Sequence, residues 1–107
     1  MQRFNFLLII GLITLITSCS KEVKKESIII EKKLGSQAIE AFNEGKKALE
    51  EGDSLFAAKK FNEVEILFPQ SDLAPRSLLM AAYAYYFQDY YQDAVAELQR
   101  FLRVYPL

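Results

Sequence analysis

Hydrophobic and polar positions divide the chain into three regimes. Phe6 to Ile16 is an unbroken apolar run of eleven residues (FLLIIGLITLI). Ser20 to Gly35 mixes five lysines and three glutamates around Ile28-Ile29-Ile30. From Ser36 onward apolar residues recur at helical spacing, with Ala38, Ala41, Phe42, Gly45, Ala48 and Leu49 on one face. This predicts a first helix from Ser36, a good N-cap, to Gly52, where glycine takes the left-handed C-terminal conformation. Asp53 then caps a second helix from about Ser54 to Phe68, stopped by Pro69. Ser71 or Asp72 caps a third helix, with Pro75 tolerated in its first turn. That helix runs to about Gln88. The turn Gln88-Asp89-Tyr90 leads into a fourth helix from about Tyr91 to Tyr105. Gly45, inside the first helix, costs about 1 kcal/mol against Ala, which a close approach by the neighbouring helix would explain.

These four elements are two copies of one hairpin. Ala57, Phe61, Val64, Phe68 and Pro69 are matched 37 residues later by Ala94, Leu98, Phe101, Tyr105 and Pro106. A period in the mid-thirties with an A-x3-F-like core and a closing proline marks the tetratricopeptide repeat. The fold class is therefore all-α, a solenoid of two antiparallel helix hairpins, with repeats at 36–69 and 70–107. The connector carries three residues more than a period of 34 allows. Leu78 to Phe87 contains no charged or amide residue, and a helix apolar all round is buried on more than one side. Solenoid repeats bury such faces against neighbours on both sides, so the array is expected to continue beyond two repeats.

The apolar run changes the picture of location. Eleven residues behind Arg3 suit the core of an export signal and fall short of the roughly 20 needed to span a bilayer. Ile16-Thr17-Ser18-Cys19 resembles the lipobox of bacterial lipoproteins. The resemblance implies a signal peptide at 1–18, cleavage between Ser18 and Cys19, acylation of the Cys19 thiol, and a tether over 19–35. A plain secretory signal with a chance cysteine, or a short membrane anchor, is the blander reading. Ser20 rather than Asp after the cysteine matches, by resemblance to enteric bacteria, sorting to the outer membrane. The isoleucine run within the tether is expected to dock on the first helix pair; pairing with a partner is the alternative.

Charge and composition narrow the chemistry. Thirteen basic residues against 14 acidic give a net charge of -1, and loss of Arg3 with the signal leaves about -2. No basic stripe for phosphates is present, so nucleic acid is not an expected partner. The chain has no His and one Cys. His-dependent nucleophilic catalysis and an intrachain disulfide are thereby excluded, and no cofactor or metal motif appears. Repeats of this kind bind partners, so no enzyme is expected.

One family shares these features. The segments Phe42-Asn43-Glu44-Gly45, Gly52-Asp53, Ala57-Ala58-Lys59, Phe61, Phe68-Pro69, Ala82-Tyr83-Ala84-Tyr85-Tyr86, Asp89-Tyr90, and Arg100-Phe101 through Pro106 resemble the BamD/ComL family of tetratricopeptide lipoproteins. Singly these residues are generic. The specific parts are the YAYY run before Asp-Tyr, the closing RF and YP, and the lipobox upstream. Ser54 departs from the pattern, where the family often has an aromatic. The resemblance covers the lipobox and the first two repeats. It implies a non-catalytic, lipid-anchored scaffold of five repeats on the periplasmic face of the outer membrane. Its implied partners are a BamA-like barrel subunit, other assembly lipoproteins, and the C-termini of unfolded outer-membrane proteins.

In a tetratricopeptide array the first helix of each repeat lines the concave face. Helical spacing puts Ile39, Phe42, Lys46, Leu49 and Glu50 there from the first repeat, and Arg76, Leu79, Tyr83, Tyr86 and Phe87 from the second. Five of the six tyrosines lie between Tyr83 and Tyr91, and rings with polar tips suit a groove for a peptide. The competing reading is that the rings only fill seams between helices, with Tyr85 facing its own repeat's second helix. Lys46 and Arg76 could pair with a terminal carboxylate or simply solvate the surface. Rival functions are another repeat lipoprotein of the envelope, such as a pilotin or coordination factor, the binding arm of a longer envelope enzyme, and a peptide-binding chaperone.

Overall fold

The computed structural model describes residues 20–106, with side chains from Lys25 onward. The signal peptide, the Ser18–Cys19 cleavage site and the lipidated cysteine lie outside the described residues. Four α-helices follow one another: α1 (Ser20–Glu50), α2 (Ser54–Leu67), α3 (Leu73–Phe87) and α4 (Tyr91–Val104). The chain forms two units, residues 1–31 and 32–107.

In the first unit the described residues are helical, and Ile28, Ile29 and Ile30 are each more than half exposed. One expectation is corrected here. The first helix starts at Ser20, and Ser36 lies inside it instead of capping it. Lysine and glutamate are good helix formers and no proline intervenes, so nothing in Ser20–Leu34 stops a helix. On a helix, three consecutive residues point about 100° apart, so Ile28, Ile29 and Ile30 do not form a single stripe.

In the second unit the two hairpins stack. Ala38, Ala41, Gly45 and Ala48 of α1 are buried, as the spacing predicts. One cluster joins Ala48 with Ala57, Ala58 and Phe61 of α2 and Ala81 and Ala84 of α3. A second joins Ala38 and Ala41 with Val64. The core is built mainly of alanine, which lets helix axes come close; Phe61, Leu78 and Val64 are its large buried side chains. Gly45 has the close approach its cost demands. A Cβ built there would stand 2.8 Å from the Phe61 ring, and Phe42 meets the same ring edge-on at 5.5 Å.

Two hydrogen bonds of the first hairpin turn recur in the second at the spacing of 37. Gly52 N–H donates to the Leu49 carbonyl (3.2 Å) and Asp53 N–H to Ala48 (2.9 Å); Asp89 N–H donates to Tyr86 (3.1 Å) and Tyr90 N–H to Tyr85 (3.0 Å). Gly52 takes a φ of 84°, and Asp89 stands in its place at a φ of 61°. Asp53 accepts a hydrogen bond from the Phe56 N–H at 3.1 Å and caps α2. Asp72 precedes α3 without a side-chain cap bond.

A polar seam fastens α2 to α4. Asn62 donates to Glu97 at 2.9 Å. Arg100 pairs with Glu65 and, at 3.4 Å, with Glu97. The Tyr105 hydroxyl donates to the Pro69 carbonyl at 3.2 Å. Charge-assisted bonds between partly buried groups are stronger than neutral ones, so the seam resists sliding of one hairpin past the other.

Candidate functional site

The ten residues proposed for the inner face form five pairs related by the spacing of 37, so α1 and α3 present the same positions with different chemistry. On α1 the set is mixed. Ile39, Lys46 and Glu50 are exposed, while Phe42 and Leu49 are half-buried against the core cluster. On α3 it is aromatic. Leu79, Tyr83, Tyr86 and Phe87 are all exposed, between 42% and 60%.

The fold brings three groups of these side chains together. The Arg76 guanidinium lies 5.9 Å from the centre of the Phe42 ring. Such a contact contributes about 0.5–1 kcal/mol and links the two hairpins. Tyr83 and Phe87 pair as tilted rings 6.1 Å apart. Leu79, Tyr83 and Tyr86 line a groove of about 400 Å³, closed on the other side by Tyr91, Ala94, Val95 and Leu98 of α4. Ile39, Lys46, Leu49 and Glu50 join none of these groups, and among the described residues Lys46 has no ion pair.

The α4 side of the groove is what sequence reasoning missed. Val95 is 51% exposed, and Leu98, which the repeat pairs with Phe61, is 44% exposed. Its counterpart Phe61 is fully buried because α3 lies over it, and no described element lies over Leu98. The signal was available, since Val95, Leu98 and Leu102 recur at i, i+3 and i+7 on α4.

The electrostatics of the tyrosines follows their burial. Tyr85 packs on the core cluster. Its burial, then the charges of Glu97 and Asp93 on α4, push its hydroxyl above the usual value of 10.0. The Tyr91 hydroxyl donates to Asp89 at 2.7 Å, and that bond raises its pKa first, with the Asp89 charge second. Among the described residues no group of three or more His, Cys, Asp or Glu side chains is placed to hold a metal. None of the described helices is long and apolar enough to cross a membrane.

A family model described as "Outer membrane lipoprotein" (YfiO) matches residues 35–107. The chain is also similar to the outer membrane protein assembly factor BamD of Caulobacter vibrioides, at 30% identity over 92 residues. That alignment takes in 85% of this chain and 29% of the relative, so the chain spans less than a third of the relative's length. No solved structure gives a significant match. The family match begins inside α1 and takes in the rest of both helical hairpins with the turns and seam that join them, and the chain belongs to the YfiO family of outer membrane lipoproteins.

Proposed function

We propose that the protein is a non-catalytic scaffold of the outer-membrane β-barrel assembly machinery. The observation that carries this is the 92-residue similarity to a relative whose name is outer membrane protein assembly factor, within a family of outer membrane lipoproteins. In this reading Cys19 carries the lipid that holds the chain on the periplasmic face of the outer membrane. A BamA-like barrel subunit and other assembly lipoproteins are its standing partners. The exposed aromatic face of α3 receives the aromatic-rich C-termini of unfolded outer-membrane proteins, and it works by binding, without a cofactor. Exposed tyrosine and phenylalanine rings support this, because each presents a large apolar surface for little loss of side-chain freedom.

The test is affinity isolation of the tagged, membrane-anchored protein after crosslinking in cells. Recovery of the barrel subunit is the expected result. Recovery of cell-wall or pilus components in its place would reject the reading. Mass spectrometry of the mature N-terminus checks the anchor: the expected species is acylated Cys19, and a free thiol there removes that part.

A further inference from the structure

The first hairpin leaves open a face that the second hairpin buries. Ala74, Ser77, Ala81 and Ala84 recur at i, i+3, i+7 and i+10 on one stripe of α3, and all four are fully buried. Ala81 and Ala84 lie in the cluster with Ala57, Ala58 and Phe61 of α2. This stripe is therefore the side by which the second hairpin sits on the first. Moved back by 37 residues, it falls on Gln37, Glu40, Glu44 and Lys47 of α1, all exposed. These four side chains line two adjoining openings between α1 and α2, of about 650 and 190 Å³. Lys60 of α2 crosses the same face to Glu44 at 2.8 Å and pairs with Glu63 at 3.0 Å.

A repeated hairpin carries a hazard. Ala94, Val95 and Leu98, in the apolar groove between α3 and α4, are the counterparts of Ala57, Ala58 and Phe61, on which the second hairpin sits. By repeat geometry alone, the first hairpin of a second copy would fit that groove. Such a contact joins unlike surfaces and does not close on itself, so it would string copies into open chains.

We propose that the stripe Gln37, Glu40, Glu44 and Lys47 bars this assembly, keeping a second copy of the chain from stacking on the α3–α4 groove. Stacking would carry two carboxylates, an ammonium and an amide into positions where the second hairpin has only alanine and serine. Charges taken out of water are costly unless paired and hydrogen-bonded. The groove is lined by leucine, alanine, valine and tyrosine side chains, which offer no opposite charge. The added length of the four side chains opposes the fit as well.

The polar seam draws the same distinction. Glu97 and Arg100 of the second hairpin reach Asn62 and Glu65 of the first. The counterparts of Glu97 and Arg100 in the first hairpin are Lys60 and Glu63, and those of Asn62 and Glu65 in the second are Gln99 and Leu102. A stacked copy would set Glu63 against Leu102 where Arg100 has Glu65. Of the two junctions that the repeat allows, only the one inside the chain pairs its charges across the contact. The bar holds whatever the protein's partners are.

Sedimentation velocity of the chain from Ser20 on, which contains both core clusters and the seam, tests this over a hundredfold range of concentration. The unaltered chain should form nothing larger than a dimer. The variant Gln37→Ala, Glu40→Ser, Glu44→Ala, Lys47→Ala gives the first hairpin the stripe of the second. It should grow through trimers and longer species, its mean mass rising at least threefold. Adding Val95→Lys in the opposite groove should return it to the behaviour of the unaltered chain. A fourfold variant no larger than the unaltered chain would overturn the bar. So would growth that survives Val95→Lys, or growth of the unaltered chain past a dimer. Glu44→Ala with Lys47→Ala is the milder second variant, altering only the positions that match Ala81 and Ala84. It should keep the helical circular dichroism spectrum and reach trimers at the upper concentrations, and its failure to grow rejects the bar.

Discussion

The two hairpins share one backbone plan and differ in how they fill it. In the first, a glycine on α1 and a phenylalanine on α2 share the space between helices, at Gly45 and Phe61. In the second, the same positions hold Ala82 and Leu98, which line one groove. Side-chain volume has moved from one helix to the other. The surroundings differ as well. Phe61 is fully buried beneath α3, whereas Leu98 keeps 44% of its surface. A residue's place in the repeat therefore decides its backbone geometry, and its place in the stack decides its burial.

The sharpest way to break this comparison is to truncate the matched residues. Phe61→Ala should destabilise the chain by about 3–5 kcal/mol, and Leu98→Ala by about 1 kcal/mol, in urea unfolding followed by circular dichroism. Equal losses would mean that burial does not distinguish the hairpins. Next comes the exchange of volume. Gly45→Ala alone should cost about 1–2 kcal/mol, because its new methyl meets the Phe61 ring while alanine favours the helix by about 1 kcal/mol. Adding Phe61→Leu recreates the pair of the second hairpin. The double variant should be more stable than the sum of the two singles by at least about 0.5 kcal/mol, and strict additivity would show that the two positions do not share space.

The turns give a smaller contrast. Gly52→Ala places a side chain at a φ of 84° and should destabilise by about 1 kcal/mol. Asp89→Gly relieves a left-handed aspartate but removes the acceptor of the Tyr91 hydroxyl, so it should change stability by less than about 0.5 kcal/mol. Thermal melts of both variants check the contrast. The smallest effect is alkaline. The folded pKa of Tyr85 is raised above its unfolded value near 10.0, so the folded chain holds its proton longer. Tyr85 therefore contributes stability that is complete below the unfolded pKa and is lost as pH rises through the folded one. Tyr85→Phe should flatten the fall in stability above about pH 10 and remove a late component from the tyrosinate absorbance titration.

Much of this was legible in the residues themselves. The spacing of 37 gave both hairpins, Gly52 and Asp53 gave the first turn, and Gly45 announced the close approach of Phe61. Asp89 was legible as the stand-in for glycine only because the repeat had been aligned first. The helical Ser20–Gly35 stretch was misread because its hydrophobic positions show no clear stripe, although propensity alone favours a helix there. The groove was half legible. Tyr83, Tyr86 and Leu79 were picked from α3, but nothing was picked from α4, where Leu98 was read only as the repeat equivalent of Phe61. Local periodicity reports which residues share a face, not whether another helix arrives to cover it. The seam of Asn62, Glu65, Glu97 and Arg100 was also invisible, since it joins residues 35 apart that each look like ordinary helix surface.

The trade between Gly45 and Phe61 bears on how relatives of this chain are compared. If a ring on one helix is balanced by a missing methyl on the other, each site looks tolerant when its column of an alignment is inspected alone. The constraint lies in the sum. Counted jointly, bulky residues at one site should coincide with glycine at the other, and smaller ones with alanine, so the spacing between helices would be preserved while neither identity is.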